Sequence, residues 1–219
     1  MPYIQDVSDR SDTEGAPRLS KQGMAALLTE ACLSPRHQHT FILIALNTLS
    51  RPNAILDLTP AQTNFEDRLI DFNPKGRKQT KKRRPIVPMT DSIISVLEPL
   101  ADQKFYVEWA GEQVGDMLQG FKKVAARAGL SEDVTPYSIR KTLAKEMRAR
   151  GVPWEEVKGW LGHKIPGVTE VYAEFDPNYL SVGRQAIDAY IAELGVDLAW
   201  KGNLLKARAC QLRVSSGIS

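Results

Sequence analysis

Residues 161–175 read LGHKIPGVTEVYAEF, so His163 stands directly behind Leu161-Gly162 and Tyr172 follows nine positions later, across a Pro-Gly break. An imidazole can hold or deliver a proton near neutral pH. A tyrosine hydroxyl, with a free pKa of about 10, is a poor nucleophile in bulk water and becomes usable where its target is clamped among cations. Alone, the pair carries little, because a histidine after a Leu-Gly helix end is usually a surface or capping residue. A tyrosine between Val171 and Phe175 is usually core. The cations come from elsewhere in the chain. KGRKQTKKRR, residues 75–84, holds seven basic residues and no acid, and RKTLAKEMRAR, residues 140–150, holds five against one glutamate. Such blocks usually form a solvated face, but two of them in a chain of net charge +3 mark a local polyanion-binding surface.

A chain of 219 residues can bury a sizeable core in one large domain or two small ones. Its 42% hydrophobic and 25% charged residues are ordinary for a globular protein. No apolar run reaches the 18 or so residues of a membrane span, and the N-terminus lacks a signal peptide's apolar region. Cys32 and Cys210 are too few for a disulfide framework and suit a reducing cytosol. His37 and His39, two apart on an expected helix, point to different faces and make poor metal partners. No H-E-x-x-H, phosphate-binding loop or acidic cluster appears.

The elements that must position these residues are mainly helical, with one small antiparallel sheet, an α+β class. Ser20 is expected to cap a helix over 21–33. Ser34-Pro35 opens a second, nearly all-apolar helix that belongs in the core. RLIDFNP and RRPIVPM flank the basic run as a hairpin with the charge at its tip. SIISVLEPLAD is helical, and KFYVEW reads as a third strand. Val114, Leu118, Phe121 and Ala125 recur at helical spacing over 113–128, and Gly129 stops them. Thr135 as N-cap and Pro136 at the first helical position start a helix that ends before Gly151. PWEEVKGWLGH is a short helix with Trp154, Val157 and Leu161 on one side. TEVYAEF and LSVGRQAIDAYIAEL are helical, and the last 25 residues form a weaker amphipathic candidate. Trp154, Trp160, Phe175 and Tyr179 are expected to cluster as core beneath the site.

Arg51 in TLSRPNAILDL, the basic hairpin, Arg140 in PYSIRKT, then His163 and Tyr172 occur in an order that resembles the catalytic domain of the tyrosine recombinases, the phage integrase family. The 23 residues from Arg140 to His163 and the nine to Tyr172 match that family's spacing, and the likeness spans roughly residues 20–195. The resemblance implies a tyrosine recombinase catalytic-domain-like fold and a DNA cleavage and rejoining activity. Tyr172 would be the nucleophile, and Arg51 and Arg140 would clamp the phosphate, as planar guanidinium forks do well. His163 would hydrogen-bond the phosphate or hold the proton balance. Lys78 or Lys81 would be the general acid toward the leaving oxygen. Lys75, Arg77, Lys82, Arg83 and Arg84 would touch backbone phosphates or solvent, and Lys141 adds charge. Because the phosphotyrosyl link conserves the bond energy, the resemblance implies no cofactor and no metal.

Three positions depart from the family pattern. Tyr137 stands where histidine is commonest; it can donate to phosphate but cannot titrate near neutrality. Lys141 follows Arg140 where histidine is frequent. Ala54 stands where a glutamate often braces the first arginine. The expected organisation is a flexible lead-in or remnant of an upstream domain over 1–19, a catalytic domain over 20–195, and a helical tail over 196–219 that packs in cis or docks in trans. Since relatives carry an N-terminal DNA-clamping domain, the chain reads as a catalytic fragment or a short member. The partner is double-stranded DNA, engaged as a homo-oligomer, a tetramer, with a monomer in its absence, no membrane, and a cytoplasmic, nucleoid-associated location. A silent DNA-binding relative and a type IB topoisomerase-like enzyme are the rival readings. If the basic runs make several phosphate contacts, duplex affinity should fall by about 0.9 log unit per log unit of salt for each contact. A salt titration of duplex binding measures this, and a flat response means a merely solvated surface.

Overall fold

The computed structural model describes residues 15–80, 82–163 and 180–202. Helix α1 (Lys21–Cys32) begins where expected, with the Ser20 side chain accepting from the Gly23 amide. Helix α2 (Arg36–Thr48) is the centre of the molecule, and every residue from His39 to Thr48 is buried. That explains its apolar run from Phe41 to Leu46, since a helix segment packed on all sides keeps no polar face. Its few buried polar groups are satisfied locally: Asn47 donates to the Leu43 carbonyl and accepts from Thr90 and Ser92, and Thr48 donates to the Ile44 carbonyl. Around α2 pack α1, α3 (Pro52–Leu56), α4 (Asp91–Leu97), α5 (Leu118–Arg127) and α6 (Pro136–Ala149). Helices α7 (Trp154–Trp160) and α8 (Ser181–Leu194) pack on α6 and on each other.

Helix α6 carries the start signal read in the sequence: a capping box joins Thr135 and Ser138, and Pro136 occupies the first turn. Its last turn is tied to α8 and α1. Glu193 receives both terminal nitrogens of Arg150 at 2.8 Å and also the Lys21 ammonium. Those two cations lower the Glu193 pKa to about 2. Helix α8 approaches α7 closely, because a Cβ at Gly183 would meet the Trp160 indole nitrogen at 2.3 Å.

The sheet extends the expected hairpin. Strands β2 (Leu69–Asp71) and β3 (Ile86–Pro88) pair antiparallel, Ile70 opposite Val87, and β1 (Thr63–Asn64) adds a third strand on the β2 side. The segment read as a third strand is instead part of a separate two-stranded ribbon, β4 (Glu108–Trp109) with β5 (Glu112–Gln113). This ribbon also displaces the first turn of the helix expected from residue 113. The turn uses Ala110 and Gly111 at positive φ, the Val114 amide bonds the Val107 carbonyl, and the helix starts only after Asp116 caps the Leu118 amide. The apolar spacing from Val114 was accidental, and Leu118 is exposed. Trp160 is fully buried as expected, whereas Trp154 is 40% exposed beside the cations of Arg148 and Lys158. Phe175 and Tyr179 lie outside the described residues.

Beyond Gly195 the described residues run back to the α1–α2 junction. Trp200 donates its indole N–H to the Ser34 carbonyl at 2.8 Å, the Lys201 amide bonds the Cys32 carbonyl, and the Arg36 guanidinium lies 5.0 Å over the Trp200 ring. The His39 imidazole meets the Leu198 carbonyl at 2.8 Å, and burial lowers its pKa, so the neutral ring donates there. His37 faces the Trp109 ring instead, so the two histidines diverge. Cys210 and the rest of the tail lie outside the described residues. No described helix is long and apolar enough to cross a membrane.

Tyr190 on α8 is 1% exposed and its hydroxyl has no hydrogen-bond partner among the described residues. Burial raises its pKa to about 12. A tyrosine raised in this way is neutral in both states below about pH 10, and destabilises the fold as pH rises from there toward 12, because the unfolded chain ionises first. Tyr190→Phe should therefore leave stability at pH 7 within about 1 kcal/mol. Between pH 10 and 12 it should unfold at higher denaturant than the parent, as measured by urea titration across that range.

Candidate active site

Arg140 lies on the inner face of α6, 5% exposed. Its guanidinium donates through Nη1 to the Leu49 carbonyl and through Nη2 to the Leu161 carbonyl at 2.7 Å. These oxygens cap the C-terminal ends of α2 and α7. Helix ends leave their last carbonyls without helical partners and carry negative partial charge, so a buried cation is well received between two of them. Two residues beyond Leu49 stands Arg51, and two beyond Leu161 stands His163. One arginine thus ties together the segments that carry two other expected site residues.

Each of these segments has a local reason for its shape. Helix α2 ends at Leu49 in the left-handed region, φ 54°. Arg51 then caps α3, its backbone carbonyl accepting from the Ala54 and Ile55 amides while Pro52 fills the first helical position. Helix α7 ends in a double-bonded glycine cap. Gly162 at φ 62° donates to the Gly159 carbonyl, and the His163 amide donates to Lys158. The capping reading of Leu-Gly-His therefore holds: the backbone of His163 closes the helix, and the residue stands half-buried at the helix end.

The basic loop folds onto both segments. Phe72 is buried and its amide bonds the Pro85 carbonyl, continuing the β2–β3 ladder by one pair. The Arg83 carbonyl accepts from Arg51 Nη1 at 3.0 Å. The same oxygen would lie 2.7 Å from a Cβ on Gly162, and Pro85 Cδ 2.9 Å from it. So the hairpin's returning arm, the Arg51 segment and the Leu-Gly-His turn meet at one carbonyl.

The expected basic residues divide by environment. Lys75, Lys78 and Lys82 are exposed on the loop, and Lys81 lies outside the described residues. Arg77 bonds Asn73, whose amide bonds the Arg77 carbonyl in return. Arg84 turns inward and pairs with Asp57 at the end of α3, its side chain 12% exposed. Arg83 is half-buried. Lys141 reaches the Ala16 carbonyl at 2.9 Å, and the Leu19 amide bonds Thr142, so the lead-in is engaged along α6 from Ala16 onward. Tyr137 sits half-buried in the first turn of α6. Tyr172 lies outside the described residues. Asp57 and Gln79, which bond Arg84, and Gln113, which bonds Asp57, were not singled out in the sequence, because no spacing rule links an acid to an arginine 27 positions away.

Residues 17–178 match the sequence profile described as the phage integrase family. Among curated proteins, the chain is 25% identical over 135 residues to the tyrosine recombinase XerC of Chlamydia trachomatis serovar L2, covering 56% of this chain and 41% of the relative. It is 28% identical over 104 residues to a tyrosine recombinase of Thermosipho africanus, covering 45% of this chain and 35% of the relative. The chain thus spans about two fifths of the length of such relatives. Among solved structures, XerA recombinase superposes with a TM-score of 0.56 at 15% identity, over 83% of this chain and 63% of that one. The Tn1549 transposon integrase in complex with transposon right end DNA gives 0.57 at 17%, over 85% and 70%. At these identities the two structures speak for the fold.

Gly162→Ala tests the meeting point directly. A Cβ there must displace the Arg83 carbonyl and accept a left-handed backbone, a strain of about 1–2 kcal/mol before any clash. The variant should melt several degrees lower, and amide exchange of residues 82–88 should accelerate. An unchanged melting temperature would show that the hairpin does not rest on this glycine.

Proposed function

The chain belongs to the phage integrase family, and we propose that it cuts and rejoins double-stranded DNA through a 3′-phosphotyrosyl intermediate. The observation that carries this reading is the Arg140 bridge, which brings the Arg51 and Leu-Gly-His segments to one side of the basic hairpin. In the proposed reaction the Tyr172 oxygen attacks the scissile phosphorus, its proton passing to a neighbouring base or solvent. The bond to the 5′-oxygen breaks, and that oxygen takes a proton from Lys78 or Lys81. Arg51 and Arg140 neutralise the non-bridging oxygens, with hydrogen bonds from His163 and Tyr137. Such preorganised donors are worth most where charge develops in the transition state. Attack by a 5′-hydroxyl on the phosphotyrosine reverses the step and releases the enzyme, so neither a nucleotide nor a metal ion enters the balance.

Lys75 and Lys78 are the exposed cations best suited to duplex phosphates in this reading, with Lys82 exposed beside them. Lys141, Arg77 and Arg84 have protein partners in the absence of DNA and would have to exchange them to contact phosphate. We propose residues 20–195 as the catalytic unit, a tetramer as the DNA-bound assembly, and a cytoplasmic, nucleoid-associated location. The companions named in the solved structures of the Tn1549 integrase, a transposon end and a circular intermediate, make the ends of a mobile element the substrate class we favour.

The test is a detergent-resistant gel shift on nicked duplexes recovered from a randomised pool by covalent capture. The unmodified chain should form an adduct. Tyr172→Phe, which loses one oxygen and keeps the ring, should bind DNA about as well and form none. Arg140→Ala should form adduct about a hundred- to a thousandfold more slowly, and it should also lose stability because two helix-end carbonyls lose their donor. An adduct persisting in Tyr172→Phe would mean another nucleophile. No adduct from the unmodified chain would favour a silent DNA-binding protein, and relaxation of supercoiled DNA without strand exchange would favour a topoisomerase-like enzyme.

A further inference from the structure

Helix α3 has five residues, about 7.5 Å of axial rise. Arg51 caps its start and Asp57 its end. Two consecutive residues of the hairpin's returning arm engage these two ends: the Arg83 carbonyl accepts from Arg51, and the Arg84 guanidinium pairs with Asp57. Both members of the ion pair are held by further bonds. Gln113 Nε2 donates to Asp57 Oδ1 at 2.9 Å and to the Leu56 carbonyl at 3.1 Å. The Arg84 backbone is gripped by the Gln79 side chain, whose Oε1 accepts from the Arg84 amide at 3.0 Å while its Nε2 donates to the Arg84 carbonyl at 2.8 Å. Gln79 thereby acts as a strand partner in the loop, one residue after Lys78.

We propose that the Asp57–Arg84 pair is a positioning latch for the reaction centre: by strapping the hairpin's returning arm along α3, it holds the Arg83 carbonyl that orients the Arg51 guanidinium. This rests on the cleavage reading above, and it gives Arg84 an internal task in place of a phosphate contact. The Arg51 side chain is long and rotamer-rich, and a carbonyl fixed at one of its nitrogens restricts the plane of its guanidinium fork. Without the pair, the arm keeps its ladder bond at Phe72 and Pro85 but loses its attachment to the far end of α3. The Arg83 carbonyl is then free to shift, and misplacement of a catalytic group by about 1 Å can cost about a hundredfold in rate. Through Gln79 the same strap reaches the residue next to Lys78, so a phosphate-clamping arginine and a general-acid candidate share one support.

The latch and plain electrostatics predict opposite signs. Asp57→Asn keeps the shape and removes a negative charge, which by charge alone should tighten DNA binding and speed attack on a phosphate. If the latch operates, adduct formation should instead slow about tenfold to a hundredfold in single-turnover reactions of the full chain at saturating nicked duplex, with affinity within about threefold of the parent. Arg84→Gln and the double variant Asp57→Asn/Arg84→Gln should lose the same factor, because both substitutions break one interaction. The readout specific to positioning uses a duplex with a methylphosphonate at the scissile position, where a neutral methyl replaces one charged oxygen and the demand on Arg51 falls. There the deficit of all three variants should shrink to within about threefold of the parent on the same duplex. Wild-type rates in Asp57→Asn, losses that accumulate in the double variant, or equal deficits on both duplexes would overturn the latch while leaving the cleavage reading in place. A parent chain that forms no adduct on either duplex would overturn both.

Discussion

A single buried guanidinium sets the conditions for the rest of the structure. Removing a cation from water costs several kcal/mol unless its donors are matched, and Arg140 is 5% exposed. It is accommodated because both of its terminal nitrogens face helix ends, the Leu49 carbonyl of α2 and the Leu161 carbonyl of α7. Each of those oxygens lacks a helical donor and carries the negative end of its helix. The match works in both directions: the arginine gains two charge-assisted bonds, and two helix termini are closed inside the protein. Helix α6 serves as the rod that presents this group at a fixed height, started by its capping box and docked on α2 through its apolar face.

From that bridge the remaining order follows as a chain of short-range constraints. Leu49 and Leu161 are each two residues from a side chain of chemical interest, too few for the backbone to wander. Gly162 brings the α7 end against the Arg83 carbonyl because no Cβ intervenes, and that same carbonyl receives Arg51. Strand β3 completes the enclosure by packing on α7. Packed, hydrogen-bonded contacts of this kind resist the independent displacement of any one member, which makes the group a rigid block.

The basic residues illustrate how one composition serves two purposes. The run 75–84 looks uniform in sequence, yet Arg77 and Arg84 are consumed by the loop's own architecture while Lys75, Lys78 and Lys82 face solvent. The difference follows the chemistry of the two side chains. Guanidinium forks suit fixed, multi-point partners such as the Asp57 carboxylate, whereas ammonium groups are strongly hydrated and remain outside. A loop braced internally by arginines can present its lysines in a defined arrangement instead of as a loose cationic tail.

Much of this protein was legible from residue order because the relevant physics is local. Ser20, Thr135 with Pro136, and Gly162 announce helix ends through capping bonds made within a few residues, and the unbroken apolar stretch of α2 can only be a core helix. The identities and spacing of Arg51, Arg140, His163 and Tyr172 are likewise properties of the chain order, and the resemblance to the family was read from them. What tertiary structure alone decided are the outcomes of competition between distant groups. The ribbon of β4 and β5 overrode a helical period that began at Val114, because the turn at Ala110-Gly111 and the bond to Val107 claimed that backbone first. Trp154 stayed in solvent beside Arg148 and Lys158 although its spacing matched the buried Val157. The inward turn of Arg84 toward Asp57, and the service of the Leu49 and Leu161 carbonyls by Arg140, depend on segments separated by 21 to 91 positions. No local propensity encodes such pairings, since they exist only once the folded core has excluded water and left these groups few partners within reach.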